Sequence, residues 1–317
     1  MTVSTLGQVN ALRATLIETI WPAGGYPSDR RVNSVESYSS SYFSQTENQP
    51  ALVNFAGIDR LAVQQYLGVH VRPLHFKPTV SRGEAMLFMI GHDGGPFTVM
   101  SRNVVYRLLA QGFDVVTVAM PLYFAEERPL IGDIQLSLEH GDLAQFQDPG
   151  WHPLSWFCDP AIAAMNYLEE EYGYSEVSMM GYSGGGWGTY LLAALDLRIT
   201  RSYPVTGGPP LDVRVGSENG DWEQYQADVF ADPIADYRDL YVMAADRAGR
   251  SQLHMVNELD AIFPDLGRAA VYGPPITTIC DGLGGDWSYW IEPGQTEHVI
   301  SDQAVDEIFE HMGIVLW

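Results

Sequence analysis

Apolar and polar positions follow two patterns along the chain. Short apolar runs without polar alternation, AMLFMI (85–90), FDVVTVAM (113–120) and VSMMG (177–181), suit strands buried on both faces. Between them lie longer stretches whose apolar residues recur every three or four positions, which predicts helices. These are SRNVVYRLLAQG (101–112), closed by Gly112, PAIAAMNYLEEEYG (160–173), with its proline in the first turn and Gly173 at its end, and GWGTYLLAALD (186–196). ITRSYPV (199–205), LHMVN (253–257) and WSYWI (287–291) continue the strand series, and DQAVDEIFEHM (302–312) reads as a last helix that Ser301 caps. Strand and helix in rotation predict an α/β fold: a mostly parallel central sheet with helices on both faces.

Upstream the pattern differs. Leu6, Val9, Leu12, Leu16 and Ile17 recur at helical spacing behind Ser4 or Thr5 as N-cap, an amphipathic helix rather than a signal peptide. A cytoplasmic protein is therefore expected, or a secreted one if a leader has been removed. Residues 22–50, rich in Gly, Pro, Ser, Tyr and Asn, read as an irregular arm over the surface, and LAVQQYLGVHVRPLHF (61–76) as two adjacent strands turning near Gly68. The expected organisation is an N-terminal helix and arm over 1–58 and one α/β domain over 59–317. Stretches near 121–159 and 207–235 are too long for bare connections and read as cap-like inserts.

Seventeen basic against forty acidic residues give a net charge of −23, and Lys77 is the only lysine. Phosphate backbones and anionic lipid would be repelled, so neither nucleic acid nor a membrane is expected as a partner, and a homo-oligomer is left open. No apolar run approaches the ~20 residues of a membrane helix. The two cysteines, Cys158 and Cys280, lack zinc-site spacing and read as buried free thiols, with a pairing between them left open.

The candidate chemistry centres on Gly181-Tyr182-Ser183-Gly184-Gly185, a G-x-S-x-G match. An apolar strand leads into it and a helix-forming stretch leaves it. A nucleophilic serine needs that setting, because a sharp strand-to-helix turn exposes its hydroxyl and aims helix N-terminal amides at a developing oxyanion. No lysine follows, which excludes a P-loop, and no G-x-G-x-x-G opens a helix after the first strand. No HExxH or comparable cluster is present, and His70 and His75 read as ordinary strand histidines, so neither a metal nor an organic cofactor is implied.

Here the sequence resembles the α/β-hydrolase superfamily. VSMMGYSGGGWGTYLLAALDLRI (177–199) is similar to the nucleophile elbow of dienelactone-hydrolase-like and acetyl-xylan-esterase-like members, in which GxSGGGW is followed by a helix ending near ALDxRI. The resemblance implies two oxyanion donors: the amide of Gly184, and an amide of the GHDGG loop (91–95), with Asp93 first and Gly94 close behind. Asp93 stands where glycine is common in such members. His92 reads as a loop-orienting hydrogen-bonder. The superfamily order of serine, acid, histidine makes His298 the general base, leaving His311 a structural role near a helix C-terminus. Asp260 is the first choice of acid, with Asp246, Glu258 and Asp281 open.

The resulting expectation is a serine hydrolase cleaving carboxylic esters through an acyl-enzyme, with a small-molecule or carbohydrate ester of short acyl chain as substrate. A prolyl-oligopeptidase-like peptidase and a catalytically inactive hydrolase-fold binding protein are the alternatives. Six tryptophans (151, 156, 187, 222, 287 and 290) belong either to the core or to a substrate cleft.

Overall fold

The computed structural model describes residues 1–39, 53–92, 98–122, 130–131, 134–135, 138–215, 220–225, 227–231 and 234–315. Its strands are β1 (Ser34–Tyr38), β2 (Gly57–Gln64), β3 (His70–Val71), β4 (Leu74–Lys77), β5 (Ala85–Ile90), β6 (Asp114–Ala119), β7 (Leu130–Ile131), β8 (Ile134–Gln135), β9 (Val177–Tyr182), β10 (Ile199–Val205), β11 (Ser251–Asn257) and β12 (Asp286–Glu292). The helices are α1 (Leu6–Ile20), α2 (Val99–Ala110), α3 (Ser155–Tyr172), α4 (Gly184–Leu195), α5 (Trp222–Tyr225), α6 (Asp228–Ala231), α7 (Tyr237–Ala244), α8 (Ala269–Leu283) and α9 (Asp302–His311).

Among the described residues ten strands form the main sheet in the order β1-β2-β4-β6-β5-β9-β10-β11-β12, with β3 paired to β2. From β6 to β12 every pairing is parallel, whereas β1, β2, β4 and β6 meet antiparallel. The apolar run of β5 shows why this is so: Ala85, Leu87 and Met89 join one hydrophobic cluster and Met86, Phe88 and Ile90 the other. The first cluster lies under α1, α3, α4, α7 and α8, the second under α2 and α9. β5, β6 and β9 are sandwiched in this way, as their apolar sequences require, whereas edge strand β12 is mostly half-buried.

After β5 the chain first steps to β6 and then returns past β5 to β9. The order reverses between β5 and β9, and crevices at the carboxyl ends of strands at such a switch point are where open α/β sheets take ligands.

The N-terminal arm is built into the fold. Thr5 caps α1 with a reciprocal Gln8 bond, and buried Arg13 donates to the carbonyl of Ala194 (2.7 Å) and to Asp246 (2.7 Å). Trp21 Nε1 and Arg30 both reach Asp159 on α3. Residues 34–38, expected to be irregular, form edge strand β1, because backbone pairing to β2 depends little on their polar side chains. Helix α3 begins at Ser155, ahead of Pro160, entering through turns in which Trp156 and Phe157 donate to Pro153 and Leu154. Cys158 and Cys280 are both free and buried. No helix among the described residues is long and apolar enough to cross a membrane.

Candidate active site

Ser183 stands alone between β9 and α4, at φ 56° and ψ −130°. A non-glycine residue in this region is strained and persists only where its surroundings enforce it. Here they do. The Ser183 N–H donates to Val205 O (3.0 Å) on β10, and Ser183 O accepts from Trp187 N (3.0 Å) in the first turn of α4. The flanking glycines let the helix press onto the sheet: a Cβ on Gly181 would lie 2.3 Å from the Gly185 carbonyl oxygen, and one on Gly185 only 2.0 Å from that of Met89. Gly184 opens α4, so its amide belongs to the first turn, which has no helical acceptors.

Asp260 lies three residues beyond β11 and is 2% exposed. Its Oδ1 accepts from the amides of Ile262 (2.7 Å) and Phe263 (2.9 Å). His298 Nδ1 donates to the same carboxylate, 2.8 Å from Oδ1 and 2.9 Å from Oδ2. That bond fixes the tautomer and leaves Nε2, which is buried and without a hydrogen-bond partner, as the nitrogen open to chemistry. Asn257, at the end of β11, donates to the carbonyls of Glu297 (3.1 Å) and Val299 (3.0 Å), gripping the chain on both sides of His298. Nothing in the sequence singled out Asn257; a polar residue closing an apolar strand was the available signal.

Ser183 and His298 line one cavity of about 420 Å³, with His92, Asp221, Gln224, Ile262 and Phe263 among its walls. Phe263 meets the His298 ring edge-on at 6.1 Å. The structure thus brings Ser183, Gly184, His298 and Asp260 to the carboxyl edge of the sheet. Asp93 and Gly94 lie outside the described residues.

The other acids have different occupations. Asp246 is buried against Arg13, Arg247 and Arg250; burial works to raise its carboxyl, but the three guanidinium groups outweigh it and bring the pKa down to about 2. Glu258 accepts from the amide of Gly294 (2.7 Å), and Asp281 lies on α8. His75 is a core histidine bonded to Asp114 (2.9 Å). His311 meets Tyr203 OH, and burial lowers its pKa, so the neutral ring contributes packing rather than charge at the end of α9. Of the six tryptophans, Trp156, Trp187 and Trp287 are wholly buried, and none lines the cavity.

His92 is the unexpected element. Its ring lies over Gly184, where a Cβ would come within 2.3 Å of Cε1. Its Nε2 meets Asp221 Oδ2 (3.0 Å), Glu223 Oε1 (3.1 Å) and His140 Nδ1 (3.3 Å). Burial works to raise the Glu223 carboxyl, yet His140 and His92 bring it down to about 2. These four residues come from three segments up to 131 positions apart, so no spacing motif announces them.

No family model matches the chain, and no curated protein matches it in sequence. Solved structures do. Acetyl xylan esterase 1 from Thermoanaerobacterium sp. superposes with a TM-score of 0.60 at 15% identity, over 98% of this chain and 94% of that one. The chain has the α/β-hydrolase fold. An acetyl xylan esterase from Paenibacillus sp. R4 matches with a TM-score of 0.55 at 14% identity, over 98% and 93% of the two chains. A methylesterase matches at 0.57 and 17% identity, over 95% of this chain and 62% of its own.

Proposed function

We propose that this chain is a serine hydrolase of carboxylic esters, with short-acyl or carbohydrate esters as its substrate class. The observation that carries the reading is a strained serine at the head of α4 sharing one cavity with a carboxylate-bound histidine. In this mechanism His298 Nε2 takes the Ser183 proton as Oγ bonds to the ester carbonyl carbon, and Asp260 steadies the imidazolium. The oxyanion accepts hydrogen bonds from the Gly184 amide and from an amide of the loop at Asp93, each donor worth about 3 kcal/mol of barrier. Collapse breaks the bond to the alkoxide, which leaves with the proton from His298. Water, deprotonated by the same nitrogen, then releases the acid and restores Ser183.

The substrate class is supported by the cavity. About 420 Å³ is small, and its walls mix apolar Ile262 and Phe263 with polar Gln224 and Asp221. A net charge of −23 disfavours acidic polymers. Two of the superposed structures carry the name acetyl xylan esterase, which fits the same class.

A fluorophosphonate probe tests the nucleophile: it should label wild type at Ser183 and leave Ser183→Ala unlabelled with its fold intact. Nitrophenyl esters of rising chain length, acetylated xylo-oligosaccharides and peptide amides then rank the substrates, with acetyl esters expected first. Preferential amide cleavage would move the chain to the peptidases. Absence of labelling and of turnover would make it an inactive binding protein.

A further inference from the structure

We propose that His92, His140, Glu223 and Asp221 form a four-coordinate site for one zinc-class divalent cation, which clamps both inserts to the loop beside the serine elbow. The four side chains each offer one ligand atom, and these atoms all lie within 4.8 Å of one another. Four donors about 2.0–2.1 Å from a tetrahedral ion stand about 3.3 Å apart. The separations here are 2.9 Å (His140 Nδ1 to Glu223 Oε2), 3.0 Å (His92 Nε2 to Asp221 Oδ2), 3.1 Å (His92 Nε2 to Glu223 Oε1) and 3.3 Å between the two imidazoles. These contacts use both oxygens of Glu223, and the donor pairs all lie within 4.8 Å, so seating one ion requires the widest pair to close by no more than about 1.5 Å.

The chemistry of the donors points the same way. His140 Nε2 lies 2.8 Å from the carbonyl oxygen of Pro121, which can only accept, so Nε2 carries a proton. In a neutral ring Nδ1 then presents a lone pair to a Glu223 carboxylate oxygen, and two lone pairs at 2.9 Å repel unless something positive lies between them. A ligating histidine whose far N–H is held by a backbone carbonyl is the usual outer arrangement of a metal site. Glu223 is wholly buried, so its charge needs an internal counterpart. Two carboxylates balance either two imidazolium protons or one dication with neutral rings. Two nitrogens and two oxygens suit zinc, whereas calcium and magnesium take oxygen ligands.

The placement gives the ion a task. His92 follows β5 in the loop that reaches the elbow, His140 belongs to the first insert, and Asp221 and Glu223 to the second. Binding would close two long chain loops at once, 92–140 and 140–221, and hold the His92 ring over Gly184. Asp221, with its side chain 44% exposed on the cavity wall, is the ligand nearest to solvent. The site stands or falls independently of the ester chemistry.

The test uses the full chain, stripped with a chelator, dialysed, and titrated with zinc chloride. One equivalent should bind with a dissociation constant below about 1 µM, with Tm rising by several degrees. Cobalt should give the strong visible bands of a four-coordinate ion. Asp221→Asn, which keeps the fold because its side chain is half exposed, should weaken binding by roughly tenfold or more. Glu223→Gln should abolish both uptake and the Tm rise; if that variant does not fold, His92→Gln carries the same comparison. Uptake below a tenth of an equivalent, a Tm indifferent to zinc, or binding that Asp221→Asn and His92→Gln leave unchanged would overturn the proposal, the last by showing that zinc sits elsewhere on the acidic surface.

Discussion

A serine hydroxyl is a poor nucleophile, and on the proposed mechanism the residues around Ser183 change that. Strain at φ 56° is sustained by bonds to two neighbouring elements and by glycines that leave no room for a side chain. Asp260 is equally constrained: two backbone amides, the Asn257 side-chain amide and one imidazole share its two oxygens, which holds it against His298. Asp260→Asn keeps the size but reverses the hydrogen-bonding sense toward Nδ1, favouring the wrong tautomer. On the proposed mechanism kcat should fall by about 10³- to 10⁴-fold with Tm changed little, measured on a nitrophenyl acetate. A loss of less than tenfold would remove Asp260 from the machinery. Asn257→Ala acts on the same ring at one remove, by freeing the backbone that carries it.

Among elements, α1 and α7 show how an exposed-looking helix becomes part of the core. Only one face of α1 is buried, and that face includes Arg13 beside Val9, Leu16 and Ile20. The guanidinium crosses to Asp246, which three arginines share. Because the folded-state pKa of Asp246 is depressed from 3.8 to about 2, its contribution is fully present above the unfolded value and disappears as pH falls through the folded one. The contribution is on the order of 2 kcal/mol. Urea unfolding of wild type and Asp246→Asn should differ clearly at neutral pH, and the gap should close as pH drops from about 4 to about 2. A constant gap across that window would show that the carboxylate charge is not what holds α1 in place.

At the scale of the molecule, forty acidic residues on 317 positions set a background against which every local contact works. Self-repulsion of this size opposes compactness and is screened by salt. Raising ionic strength from about 0.01 M to about 0.15 M shortens the screening length from about 30 Å to about 8 Å, and Tm should rise with it. A fall would mean that surface ion pairs such as Arg198 with Glu169 outweigh the net repulsion. The same charge bears on the cation site, since an acidic protein concentrates divalent ions near its surface but offers only one cluster of this kind among the described residues.

The sequence by itself determined the parallel core. Apolar runs at 85–90, 113–120 and 177–181 can be satisfied only by burial on both faces, and the small residues around Ser183 can be satisfied only by a tight turn into a helix. Its resemblance to α/β-hydrolases supplied the expected order of serine, acid and histidine, leaving the acid open among Asp260, Asp246, Glu258 and Asp281. Tertiary structure decided which acid meets His298, because a contact across 38 positions depends on where β11 and the loop after β12 end in space. It made β1 a strand, since edge pairing rests on backbone groups that composition does not report. It also gathered His92, His140, Asp221 and Glu223, which no local pattern relates. Local burial and local turns are written in neighbouring residues, whereas convergence of distant side chains is a property of the packed chain alone.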